Sequence, residues 1–133
     1  MSTFDPPRPR PAPVTVTGAL LDGEPVTRTL EGLTLIVAIK QTCDGCRDFL
    51  RSPLDELHSV NVLFVSPTAD LNAEWVDARH EIVVAPEVLV ALGIRWPPFY
   101  VLVDATRQRI VTEGVVFAPS QVASEIGPYL SPS

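Results

Sequence analysis

What this chain lacks first is positive charge. Its 10 Lys and Arg face 16 Asp and Glu over 133 residues, a formal net charge of −6. With no cationic excess to neutralise phosphates, a nucleic-acid partner is excluded, and so is docking on an anionic membrane surface. Long apolar runs are missing too: none approaches the roughly 20 residues of a spanning helix. The first ten residues, Met1 to Arg10, hold no apolar stretch of signal-peptide type, so the expected location is cytoplasmic. Cysteine is scarce, with 2 in the chain, too few for the disulfide framework of a tiny secreted domain. What is present is globular: 46% hydrophobic and 20% charged residues, enough for one domain around one core.

Residues 1–13 hold Pro6, Pro7, Pro9, Pro11 and Pro13 with almost nothing to bury, and read as an extended, flexible tail. The domain proper is residues 14–133. Its first strand spans Val14, Val16 and Ala19 to Leu21, and the turn Asp22-Gly23 returns it through Val26 to Leu30. Leu33 to Ile39 is apolar at every position but Thr34, as expected for a central strand covered on both faces. A helix follows from Cys43 to about Ser59, with Phe49, Leu50, Leu54 and Leu57 on one stripe and Pro53 kinking it. Strands are expected at Val60–Val65, Ile82–Val84, Phe99–Val103 and Arg109–Glu113. Further helices are expected at Asp70–Arg79, at Pro86–Leu92 before Gly93, and from Pro119 through Val122, Ile126 and Leu130. Alternating strands and helices define an α/β sandwich, a mixed central sheet flanked by helices and extended by an N-terminal β-hairpin.

The two cysteines sit three apart in Thr42-Cys43-Asp44-Gly45-Cys46, where a buried strand hands over to a helix. There Cys43 takes the cap position and Cys46 the first turn. The free N–H groups and positive dipole end of the helix face the first sulfur and favour its thiolate, the form that attacks a disulfide. The i, i+3 spacing also brings the sulfurs within bonding reach. Cys43, at the exposed end, is the expected nucleophile, and Cys46, one turn deeper, the resolving thiol. Asp44 opposes part of the dipole effect, Lys40 and Arg47 act the other way, and Gly45 completes the motif. Zinc is the competing use of such spacing, but it needs two more ligands. His58 lies about three helical turns beyond Cys46 and His80 precedes a strand, so no metal is expected.

A second segment, Gly93-Ile94-Arg95-Trp96-Pro97-Pro98-Phe99, followed by an apolar strand, resembles the thioredoxin stretch Gly-Ile/Val-Arg-x-x-Pro-Thr. The opening Leu21-Asp22-Gly23-Glu24-Pro25-Val26, then Leu30-Glu31-Gly32, is similar to that of TlpA/ResA-like thiol–disulfide reductases of the redoxin type. The resemblance covers about residues 14 to 130. It implies a thioredoxin-like three-layer sandwich, with Pro98 as the cis-proline and Phe99 in the place usually held by Thr. Thr42, Trp96, Pro97, Pro98 and Phe99 then line the substrate groove. Thr42 replaces the Trp of thioredoxins, and Asp44-Gly45 replaces their Gly-Pro. Val37 occupies the position of their buried acid.

The expected function is thiol–disulfide oxidoreduction. No cofactor is required beyond the Cys43–Cys46 disulfide itself, and the partners are a protein or low-molecular-weight thiol or disulfide and a second redox protein. A redox-inert binding module on the same scaffold is the alternative, because fold alone does not settle function. A thiol peroxidase ranks third, since no Pro stands seven residues before Cys43 as a peroxidatic motif would place it.

Overall fold

The computed structural model describes residues 12, 14–20, 22–39, 57, 59–68, 81–94, 99–116 and 118–130. Seven strands form one sheet: β1 (Thr15–Leu20), β2 (Pro25–Thr29), β3 (Leu33–Ala38), β4 (Asn61–Ser66), β5 (Ile82–Val84), β6 (Phe99–Asp104) and β7 (Arg109–Val115). Their order across the sheet is β2-β1-β5-β4-β3-β6-β7. β3, β4 and β5 run parallel, whereas β6 pairs antiparallel with β3, and β7 with β6. The mixed sheet and the N-terminal hairpin are those read from the sequence. Strand ends differ from expectation by one or two residues.

The central position of β3 follows from its composition. Leu35, Val37 and Ile39 point into one apolar cluster, with Phe64, Tyr100 and Leu102, while Ile36 and Ala38 point into the other. From Leu35 to Ile39 no side chain is measurably exposed, which is why the run carries no polar residue. Helix α2 (Pro119–Leu130) covers the first cluster with Val122 and Ile126. Helix α1 (Pro86–Ala91) covers the second with Leu89. Of the stretch expected as the helix 43–59, Leu57 is described within 43–58, and it is buried in the first cluster. The expected helix 70–79 lies outside the described residues.

Helix α1 ends by a specific device. Ile94 N–H donates to the Leu89 carbonyl and Gly93 N–H to the Val90 carbonyl, at 2.9 and 3.0 Å, with Gly93 at φ 74°. This paired closure needs a left-handed residue after the cap, and glycine takes that conformation without steric cost. Ile94 and Leu89 are buried in the same cluster, which completes the motif. The chain is thereby aimed at residues 95–98 and the start of β6.

Two features were not legible in the residue order. The β6–β7 ladder skips a residue between Leu102↔Thr112 and Val103↔Ile110, a bulge at the edge of the sheet. In the turn that joins these strands, Gln108 adopts φ 54° and its carbonyl accepts the Ala12 N–H at 3.0 Å. Ala12, within the 1–13 stretch read as a flexible tail, is buried in the second cluster beside Val16 and Leu30. The other residues of 1–13 lie outside the described residues. No described helix is long and apolar enough to cross a membrane.

Candidate functional site

Antiparallel pairing of β3 with β6 places Ala38 opposite Phe99. Cα atoms of such partners lie about 4.5–5.5 Å apart. The chain leaves β3 after Ala38 toward Lys40 and the Cys43–Cys46 motif, and it enters β6 at Phe99 from Trp96, Pro97 and Pro98. The two segments singled out in the sequence, some fifty residues apart, are therefore attached to neighbouring strands at the same end of the sheet. Covalent reach is short on both sides. Pro98 is one peptide unit from Phe99, and Cys43 four residues from Ile39, at most roughly 14 Å of extended chain. Ile39 is itself tied down, its N–H donated to the Val65 carbonyl at 3.0 Å. Lys40, Thr42, Cys43, Asp44, Gly45, Cys46, Trp96, Pro97 and Pro98 lie outside the described residues.

Phe99 is the described member of the expected groove. It is half-buried, packed against the second cluster, and stands between Ala38 on β3 and Val115 on β7. Val37, which the sequence resemblance sets against the thioredoxins' buried acid, is fully buried in the first cluster with Leu35, Ile39, Leu57 and Phe64. A charge there would be left without solvent or partner, so this face of β3 is apolar throughout.

This topology admits a direct comparison with known structures. The thioredoxin domain of a thiol–disulfide oxidoreductase from Bacteroides vulgatus superposes with a TM-score of 0.67 at 19% identity, covering 91% of this chain and 96% of that one. A thiol:disulfide interchange protein of the thioredoxin family from Chlorobium tepidum gives 0.63 at 16% identity, covering 96% and 100%. A secreted disulfide oxidoreductase from Mycobacterium tuberculosis gives 0.59 at 12%, covering 84% and 94%. The chain has the thioredoxin fold. No family model matches it, and no curated protein matches it in sequence. These three neighbours are named for thiol–disulfide exchange or disulfide oxidoreduction. At these identities the likeness carries the architecture alone.

Sequence reasoning missed a polar cluster next to this end of the thioredoxin sheet. Tyr100, 1% exposed, donates its hydroxyl to Glu125 Oε1 at 2.6 Å. Burial first, and then the hydrogen bond and charge of Glu125, push the phenol above its ordinary pKa. Hydrogen bonds from Gln121 and then Tyr100 hold the Glu125 carboxyl below the usual range. Two signals were available: a tyrosine alternating with core residues must find a partner for its hydroxyl, and a glycine inside a strand, Gly114, marks a close approach.

A different polar site lies at the other end of β3 and β4. There a shallow groove of about 310 Å³ is lined by Arg28, Glu31, Thr34, Asn61 and Glu81, among others. Arg28 forms a bidentate ion pair with Glu81, one arm of it Nε to Oε2 at 2.8 Å, and this pair holds the Glu81 carboxyl below its ordinary range. Asn61 and Thr34 both donate to the Glu31 carbonyl. The groove is a strand length removed from the Ala38–Phe99 end of the sheet.

Proposed function

We propose that this protein is a thiol–disulfide oxidoreductase in which Cys43 is the nucleophile and Cys46 the resolving thiol. The Cys43 thiolate attacks one sulfur of a substrate disulfide, forming a mixed disulfide and releasing the first substrate thiolate. The Cys46 thiolate then attacks the Cys43 sulfur and releases the second. Two electrons pass to the substrate, and the enzyme is left with a Cys43–Cys46 disulfide for a second redox partner to reduce. No further cofactor enters. The reverse sequence oxidises a dithiol. Within this reading Thr42, Asp44, Gly45 and Lys40 border the sulfurs, Trp96 to Phe99 line the groove, and the protein is cytoplasmic.

The observation that supports this most is the Ala38↔Phe99 register, which attaches the Cys-x-x-Cys segment and the Pro98 segment to adjacent strands at one end of the sheet. The thiol–disulfide chemistry of the structural neighbours points the same way. The test is reduction of a disulfide-bonded polypeptide by the prereduced protein. The wild type should consume one disulfide per chain, Cys43→Ser should consume none, and Cys46→Ser should accumulate the mixed disulfide. An inert wild type refutes the assignment.

The second reading, a redox-inert binding module, draws on the apolar burial of Val37. A Cys43–Cys46 pair that stays oxidised against any thiol reductant, with a potential far below the roughly −270 mV of thioredoxin, would select it.

A further inference from the structure

We propose that the outer edge of β2, with the groove at its end, is a docking site for an extended basic segment of another polypeptide, which adds to the sheet as a further strand. The inference stands apart from the exchange reading and concerns a surface away from the Ala38–Phe99 end. The register of the first hairpin decides which backbone groups of β2 are used. Leu20 N–H donates to the Glu24 carbonyl at 2.8 Å, and Leu30 N–H to the Val14 carbonyl at 2.7 Å. Bonded rungs alternate with unbonded ones in an antiparallel pair, so Val26 and Arg28 bond to β1. The N–H and C=O groups of Thr27 and Thr29, and the Pro25 carbonyl, therefore point away from β1. Among the described residues nothing takes them: β2 is the last strand on its side of the sheet, and neither threonine's backbone bonds elsewhere. Pro25, which has no N–H, falls on an outward rung, where it costs the hairpin no hydrogen bond.

The opposite edge is blunted. β7 is bulged against Leu102 and Val103, and its Val115 carbonyl accepts from Gln121 Nε2 at 2.9 Å. β2 instead keeps unbroken register from Pro25 to Thr29, with Thr27 and Thr29 exposed. The groove sets the class of partner. Thr29 belongs both to the open edge and to the groove of about 310 Å³, which Arg28, Leu30, Glu31, Asn61 and Glu81 also line. A strand added to β2 points alternate side chains to the side of Arg28 and Leu30, over this groove. Arg28 and Glu81 neutralise each other there. The Glu31 carbonyl accepts from Asn61 and Thr34, whereas no bond or ion pair among the described residues uses its carboxylate. The unspent charge is negative, so the complementary side chain is Lys or Arg. Main-chain bonds supply affinity in this mode, and the groove supplies selectivity.

The experiment titrates the full chain with short labelled peptides in which Val alternates with Lys or with Glu. Fluorescence anisotropy reads affinity, and amide NMR reads location. The Lys peptide should bind, shift the Thr27 and Thr29 amides and slow their hydrogen exchange, and the Glu peptide should bind about 10-fold more weakly. Thr29→Pro removes an outward N–H without touching a β1 rung. It should weaken binding about 3- to 10-fold, the size of one hydrogen bond's net contribution, at an unchanged urea midpoint. Glu31→Gln should remove most of the preference for Lys, and it carries the test alone if Thr29→Pro lowers the midpoint. A Lys peptide that leaves both amides unmoved, equal affinity for the two peptides, or wild-type behaviour of Glu31→Gln overturns the proposal. Protection of the same amides that grows with protein concentration and needs no peptide also overturns it, because the occupant is then a second copy of this chain.

Discussion

Replacing Gly18 with alanine sets two physical effects against each other, and the structure says which one wins. In a strand interior, glycine costs roughly 0.5–1 kcal/mol relative to alanine through lost backbone freedom, so propensity alone favours the substitution. The Gly18 Cβ, however, would stand 2.1 Å from the Val84 carbonyl oxygen and 3.0 Å from the Ala85 Cβ. Contacts below 3.0 Å do not persist, and the obstacle is backbone rather than a flexible side chain. β1 must therefore part from β5 by about 1 Å, on the scale of overpacked cores that lose about 1–3 kcal/mol. The joint is thin: Ala19↔Val84 and Leu20↔Val83 are its two register pairs. Loss of a ladder hydrogen bond there adds about 0.5–1.5 kcal/mol. The expected net destabilisation is about 1–3 kcal/mol out of a total near 5–15 kcal/mol. Urea denaturation followed by circular dichroism should show the midpoint falling by roughly 1 M, since slopes for domains of this size are about 1–3 kcal/mol per molar. A midpoint that holds or rises would refute the steric argument.

Ile126→Ala should cost about 2–5 kcal/mol, because the side chain is fully buried where α2 meets the sheet. Val90→Ala, on a side chain 79% exposed, should stay within about 0.5 kcal/mol of wild type in the same denaturation series. The Tyr100 phenol is raised in the folded state, so its contribution is fully present below the unfolded tyrosine value of about 10 and is lost as pH rises through the folded value. Unfolding free energy measured against pH should therefore decline on the alkaline side, and Tyr100→Phe should flatten that limb; an unchanged limb contradicts the assignment of the shift.

Much of the architecture was legible from residue order alone. The apolar run Leu33–Ile39 demanded a strand buried on two faces, and both clusters receive it. Pro86 and Gly93 bracketed α1, whose capping bonds match that reading. The Asp22-Gly23 turn closed the first hairpin, with Asp22 Oδ1 accepting the Glu24 N–H at 2.9 Å. Such features are local, set by backbone propensity and the alternation of apolar with polar residues within a few positions. The candidate nucleophile and the proline segment were equally visible, as motifs.

Tertiary structure decided everything that depends on distant residues meeting. Only the register Ala38↔Phe99 attaches the two motifs to one end of the sheet. Only packing shows that Gly18 serves a backbone approach at Val84, and Gly114 a tyrosine ring. The pairings Tyr100 with Glu125, Arg28 with Glu81 and Ala12 with Gln108 join residues 25, 53 and 96 positions apart. A chain specifies its local conformations through neighbours in sequence, whereas hydrogen-bond partners across a sheet are selected by which buried polar group lies within reach once the core has closed.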